Sequence, residues 1–380
     1  MNVLMLGNGF DLHYYLPTKY NNFLHTVEYL AGLNLVFPST AGDAFSDVRL
    51  TKKDSFIAKC YEVNKSAFDG VTLNHERIFK LTELARNNMW FKYLLSSCDE
   101  DVGWIDFEKE IKKVLDIIRV LFDEKYVRNS FPIDPRSPLC HIIKYFGFFV
   151  KDLGNNIYVY NDKFLIENPV GSGNRILDIN KVARLLFDEL CVLSEMLKLY
   201  LSEFIEKTIA NVASIEFGED SKKYEAQYVI SFNYTKMYEH LFPNGNVIHI
   251  HGTTDAQIVL GVNPDDDDEK ESVNTTFLAF KKYYQRVFWG TDYEYLSILK
   301  AIAEAAKDGL RIHLHVMGHS LDVTDKDTIK ELFEYSTKIT ISYHNTIALS
   351  SYVDNLVTIY GKNEFDELRY KKELTFIKLS

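Results

Sequence analysis

Apolar positions fall along this chain in two rhythms. Val3, Leu4, Met5 and Leu6 form an unbroken apolar run that stops at Gly7-Asn8-Gly9-Phe10-Asp11, which predicts a buried strand delivered into a glycine turn. After a turn at Pro17-Thr18, Tyr20, Phe23, Leu24, Val27 and Leu30 recur at spacings of three and four, which predicts a helix with Thr18 as its cap. Helical spacing then dominates residues 78–90, 104–122, 142–153 and 176–210, broken at 155–160 and at Gly171-Ser172-Gly173. Strand-like runs return at 228–231, 247–251, 258–261, 312–317, 339–343 and 356–360, separated in part by helical stretches at 296–307 and 326–335.

Strands alternating with helices predict an α/β fold with a parallel, Rossmann-like, doubly wound sheet. The first strand has no partner strand until residue 228. The sheet is therefore expected to be discontinuous in sequence, with a nucleotide-binding core from 1–30 plus 225–380 and a mostly helical insertion over 31–224. At 380 residues and 46% hydrophobic, the chain can bury a core of that size.

The formal net charge is −11 with no long basic stretch, which argues against general nucleic-acid binding or attraction to an anionic membrane. No run approaches the roughly 20 apolar residues that span a bilayer, and no basic leader precedes an apolar segment, so the expected compartment is the cytoplasm. Cys60, Cys98, Cys140 and Cys191 form no Cys-x-x-Cys pair and read as reduced core thiols. Asp265-Asp266-Asp267-Asp268-Glu269 reads as a solvated loop, since its spacing lacks the glycine and distal glutamate of a calcium loop.

Candidate chemistry gathers at strand tips. Ser231-Phe232-Asn233-Tyr234-Thr235, His249-Ile250-His251-Gly252-Thr253 and Met317-Gly318-His319-Ser320-Leu321-Asp322 each end a strand in polar or glycine residues. In a parallel sheet they converge with the Gly7 turn on the carboxyl edge, where such folds bind ligands. Glycines 7 and 9 would let a ligand approach the main chain, with the N–H groups of the turn facing it. The Asn233 amide both donates and accepts, although an Asx-turn explains it equally well. His251 titrates ordinarily at about 6.5 and suits proton transfer near neutral pH. His249 faces the same side and is open to a plain core role. Ser320 and Asp322 suit ribose hydroxyls, although Asp322 and Thr324 are equally good helix caps. A rival arrangement uses His249, His251, His313, His315 and His319 as metal ligands for hydrolysis. Asp106 and Glu108 suit the first turn of a helix. The stretch Phe280-Lys281-Lys282-Tyr283-Tyr284-Gln285-Arg286 reads as an amphipathic helix or as a phosphate or partner contact.

Taken in order, Leu-Gly-Asn-Gly-Phe-Asp-Leu with Leu-Pro-Thr-Lys-Tyr, Trp104-Ile105-Asp106-Phe107-Glu108, Phe232-Asn233-Tyr234-Thr235, His249-Ile250-His251-Gly252 and Gly318-His319-Ser320-Leu321 resemble the bacteriophage abortive-infection AbiH family. The resemblance runs from near residue 2 to at least Tyr343-His344. The strand tips also resemble, more distantly, the sirtuin-like NAD-binding fold, with Asn8 where that group has alanine and Thr235 where it often has aspartate. These resemblances imply a cytoplasmic anti-phage protein that hydrolyses NAD, its substrate, to nicotinamide and ADP-ribose when triggered. Asn233 and His251 would be the catalytic pair. Gly7, Asn8, Gly9, Phe10, Asp11, Thr18, Gly252, Gly318, His319, Ser320 and Asp322 would bind the nucleotide, with no metal expected. Partners left open are a phage-encoded trigger protein and a second copy of the chain. Two other readings stand beside this one: a nucleotide- or phage-protein-binding sensor without turnover, and a metal-dependent hydrolase or nuclease built on the histidines.

Overall fold

The computed structural model describes residues 1–33, 35–98, 105–121, 142, 144–152, 157–167, 175–212, 225–262 and 275–379. Trp104, Cys140, the Gly171-Ser172-Gly173 turn and the 265–269 acidic run lie outside them. Ten strands are present among the described residues: β1 (Asn2–Leu6), β2 (Phe149–Asp152), β3 (Ile157–Tyr160), β4 (Leu165–Glu167), β5 (Arg175–Leu177), β6 (Tyr228–Ser231), β7 (Val247–His249), β8 (His313–Met317), β9 (Lys338–Tyr343) and β10 (Leu374–Lys378). Six of them form one parallel sheet in the order β10-β9-β8-β1-β6-β7, and the others pair as two small antiparallel hairpins, β2-β3 and β4-β5.

β1 lies between β6 and β8, pairing Leu6 with Ser231 on one side and Met317 on the other. An interior strand needs apolar side chains on both faces, and Val3, Leu4, Met5 and Leu6 are all buried. Leu4 and Leu6 join a cluster that continues through helices Tyr20–Ala31, His75–Asn87, Met89–Ser97, Phe107–Leu121 and Ile179–Tyr200. Val3 and Met5 join the opposite cluster, formed with helices Tyr293–Lys307, Lys326–Tyr335, Thr346–Tyr360 and Lys362–Lys371. Helices thus cover both faces at the centre of the sheet. Towards β9 and β10 one face instead carries a polar ladder, in which His313 bonds Thr340 (2.8 Å) and His315 bonds Ser342 (2.8 Å).

Several expected elements differ. Residues 356–360 end a helix rather than form a strand: Tyr352, Leu356 and Ile359, spaced by four and three, are buried on one side of Thr346–Tyr360, and a short apolar run cannot distinguish a helix face from a strand. The outer strand is β10, which the pattern did not single out. Residues 258–261 join no strand ladder, and the Gln285 side chain bonds the Leu260 backbone instead. Gln285 Oε1 accepts from the Leu260 N–H (2.9 Å), and its Nε2 donates to the Leu260 carbonyl (2.9 Å). The stretch 78–90 breaks at Asn88, whose side chain caps the next helix. The second half of 142–153 is β2 rather than helix, after a left-handed turn at Gly147. Lys19, not Thr18, is the N-cap of Tyr20–Ala31.

The chain advances from β1 to β6 and β7 in one direction and from β8 to β9 and β10 in the other, so the loops after β1 and β8 meet where the winding reverses. They interlock there. Gly7 N–H donates to the Met317 carbonyl (3.1 Å) and Gly9 N–H to the Gly318 carbonyl (2.8 Å). A Cβ on Gly7 would sit 2.5 Å from His319 Cα, and one on Gly318, whose φ is +70°, would sit 2.2 Å from the Phe10 nitrogen. Gly318→Ala is expected to cost roughly 2–4 kcal/mol through overpacking and left-handed strain. Urea unfolding measures this, and an unchanged midpoint would show that the two loops can separate freely.

Candidate functional site

The interlock changes what the glycine turn can offer. The Gly7 and Gly9 N–H groups are bonded to the β8 loop rather than presented to a ligand, and Phe10 N–H returns to the Gly7 carbonyl (2.9 Å). Phe10 is a core side chain, edge-on to Tyr14 at 5.2 Å. Asn8 is exposed and clamps Thr18: its Oδ1 accepts from Thr18 Oγ1 (2.6 Å), and its Nδ2 donates to the Thr18 carbonyl (3.3 Å).

Asp11 forms the first of two polar groups. It is buried one turn after β1, and its carboxylate accepts from Asn233 Nδ2 (3.1 Å) and Thr235 Oγ1 (2.6 Å). Burial raises its pKa to about 7 against those hydrogen bonds, with the nearby Glu206 adding to the rise. Glu206 ends a π-helical segment, Leu201–Glu206, and accepts from the Lys236 N–H (3.0 Å) and Thr254 Oγ1 (3.1 Å). Such segments recur at functional sites, and this one ties the long helix to the loops after β6 and β7. His249 bonds the Asn233 carbonyl (2.7 Å) and Glu239 (2.6 Å). Burial opposes its charged form, but Glu239 and Asn233 outweigh burial and hold its pKa above the ordinary value.

The second group centres on Asp325. His319 Nε2 lies 3.4 Å from one of its oxygens, and Lys282 Nζ (3.0 Å) and His251 Nε2 (3.6 Å) approach the other. Lys282 also meets Glu108 at 2.7 Å. Phe232 lies edge-on between the two imidazoles, with centroids 5.3 Å from His251 and 4.2 Å from His319. His319 Nδ1 accepts from the Leu321 N–H (2.9 Å), so the proton of a neutral ring sits on Nε2, facing Asp325. Burial opposes ionisation of Asp325, but Lys282 and His319 hold its carboxyl well below the usual range. Glu108 is pushed up by burial to about 7, with Lys282 opposing the rise. Burial and the Lys282 charge together push His251 well below its ordinary value, so it is neutral at physiological pH.

The structure thus brings Asp11, Asn233, Gly252, His251, Gly318 and His319 to the carboxyl edge. Gly252 turns there at φ +80°, where a Cβ would sit 1.8 Å from the Gln257 carbonyl. Ser320 is exposed, with its carbonyl accepting from Asn355 (3.0 Å), and Asp322 caps the short helix Val323–Asp325. The acid that enters the site is instead Asp325, three residues on. Lys282 was legible only as one cation of an aromatic stretch. In helix Lys282–Trp289 the polarity is inverted, because Lys282 and Gln285 point inward while Val287 and Phe288 are exposed. The histidines do not assemble for a metal. Among the described residues no three His, Cys, Asp or Glu side chains form a metal-holding group, and His313 and His315 are bonded to β9.

Asn233 Oδ1, His251 Nε2 and Glu108 Oε2 are buried with no hydrogen-bond partner. Buried polar atoms are nearly always paired, which makes these three candidates for contact with a polar ligand. The enclosing residues are tightly covered: Asn233, His251 and His319 are 5%, 6% and 4% exposed.

Two outcomes follow from the charges. Asp11 and Glu108, raised to about 7 when folded and ordinary when unfolded, favour the folded state while protonated. Stability is therefore expected to fall as pH rises from about 4 to about 7 at these groups, and Asp11→Asn should flatten that slope in urea midpoints across the range. Lys282→Met should cost about 3–5 kcal/mol by leaving two acids unpaired, with Glu108→Gln in that background restoring part of the loss. Equal destabilisation by the single and double variants would contradict the pairing.

Against known proteins, a family model described as bacteriophage abortive infection AbiH matches residues 3–344. No curated protein matches the chain, and no solved structure does.

Proposed function

The chain belongs to the bacteriophage abortive-infection AbiH family, and from that premise we propose that it acts in anti-phage defence by hydrolysing NAD to nicotinamide and ADP-ribose at the carboxyl edge of the sheet. The observation that carries this reading is the pair of buried, unpartnered polar atoms, Asn233 Oδ1 and His251 Nε2. In the proposed step the bond between nicotinamide and ribose C1′ breaks and its electron pair leaves with neutral nicotinamide. A water oxygen bonds to C1′ and passes a proton to His251. Asn233, held through Nδ2 by Asp11, directs Oδ1 at that water or at a ribose hydroxyl. His251 is neutral and so ready to accept the proton, and Asp325 at 3.6 Å stabilises the imidazolium formed. Glu108 and Asp325 exceed the single charge of Lys282 when both are ionised, which favours the positive charge that develops on the ribose.

Burial of the pair supports a protein that is silent until a phage-encoded trigger parts the loops. We place it in the cytoplasm as a protein open to self-association; among the described residues no helix is long and apolar enough to cross a membrane. The same burial favours one other reading, a nucleotide- or phage-protein-binding sensor that never turns substrate over.

Nicotinamide release by the purified protein, with and without phage lysate, separates the two. Release by the wild type that falls about 10²–10⁴-fold in folded Asn233→Ala and His251→Ala variants is expected. No release under any condition, with both variants still protecting cells, would leave the sensor.

A further inference from the structure

Away from the sheet edge, three helices bring together residues that sequence spacing does not connect. Helix Tyr20–Ala31 carries His25, helix Ser55–Val63 is capped by Asp54, and helix Met89–Ser97 ends at Cys98. His25 Nε2 lies 3.7 Å from Cys98 Sγ, and His25 Nδ1 lies 3.0 Å from Asp54 Oδ2. Asp54 is itself oriented: Asn22 Nδ2 donates to Oδ2 (2.8 Å), and the N–H groups of Phe56 (3.1 Å) and Ile57 (3.2 Å) donate to Oδ1. His25 and Asp54 are 5% and 4% exposed, while Cys98 is half-buried and so open to a small reagent. We infer that Cys98, His25 and Asp54 form a second, nucleophilic centre, a thiol that takes the acyl group of a small ester or thioester.

The roles follow from the order of contacts. An orienting acid, a base and a nucleophile in hydrogen-bonded sequence are what an activated thiol requires. Asp54 is ionised, since His25 and Asn22 overcome the effect of burial and hold its carboxyl below the usual range. It can therefore only accept, which leaves the Nδ1 proton of His25 on the acid side and turns Nε2 towards Cys98. Burial works against a charged His25, but Asp54 and Cys98 outweigh it and raise its pKa to about 9. The other titratable groups beside Asp54, Tyr200 and Cys60, are held neutral by burial. Cys98 stands at a helix C-cap, where the dipole disfavours an anion, so a thiolate there depends on His25.

In the acylation step the Sγ proton passes to His25 Nε2. Sγ bonds to the carbonyl carbon while the carbonyl electron pair moves to oxygen. Collapse restores the carbonyl and expels the alcohol or thiol, which takes the proton from His25. Water then attacks the thioester, gives a proton to His25 and releases the acid with the Cys98 thiol restored.

Site-resolved iodoacetamide alkylation of the intact chain tests the activation. Near pH 6.5, wild-type Cys98 should be alkylated roughly ten-fold or more faster than Cys191. Cys191, pushed up by burial to about 11, serves as an internal control. His25→Gln should slow Cys98 alkylation near pH 6.5 roughly ten-fold or more. With p-nitrophenyl acetate, acylation should appear on Cys98 and vanish in Cys98→Ser. Wild-type Cys98 alkylation near pH 6.5 no faster than that of Cys191 overturns the inference without needing any variant to fold, as does acetylation that bypasses Cys98. Asn233→Ala should leave Cys98 reactivity unchanged, so failure here is distinct from failure of the NAD reading.

Discussion

A buried ammonium holds this molecule's two halves of sequence together. Lys282 is 2% exposed and has taken the cost of leaving water, several kcal/mol for an ion even after relaxation. That cost is offset only because Glu108, from the helical segment before the hairpins, and Asp325, from the loop after β8, reach it at 2.7 and 3.0 Å. His251 and His319 also approach Asp325, at 3.6 and 3.4 Å, and the Lys282 charge helps keep His251 neutral. The neutral state of His251 and the inward turn of a helix that leaves Val287 and Phe288 exposed both go with where this cation sits.

The interlocked loops after β1 and β8 impose the complementary steric constraint. At the point where winding reverses, many α/β folds leave a crevice. Here Gly7, Gly9 and Gly318 use the absence of side chains to let two backbones touch, and buried polar side chains gather instead at the tips of β6 and β7. Asp11 links the two regions, because it leaves the glycine turn and holds Asn233 and Thr235 across the sheet edge. A polar site therefore lies beside, rather than within, the glycine turn that first suggests it.

How much of this was legible depended on the range of each interaction. β1 was visible because a strand buried on both faces must be apolar throughout, as Val3 to Leu6 are, and β8 because apolar Leu314 and Val316 alternate with His313 and His315. Helix Lys326–Tyr335 was visible from its own periodicity. Residues 356–360 misled because an apolar run of that length fits a helix face and a strand alike. Residues 258–261 misled because a side-chain amide, Gln285, can imitate a neighbouring strand. Asn233 and His251 stood out as polar residues at strand ends, but Asp325 carried no signal that set it apart from Asp322, and His25, Asp54 and Cys98 share no spacing at all.

The sequence by itself determined the strand and helix types with strong periodicity, the glycine positions, and the membership of polar strand tips in one sheet edge, since these rest on neighbours within a turn or a strand. Only the tertiary structure decided which acid meets Lys282, that the glycines serve loop contact, and that a thiol, an imidazole and a carboxylate from three helices line up. Those outcomes depend on distances between side chains far apart in the chain, and burial sets both their charges and their partners.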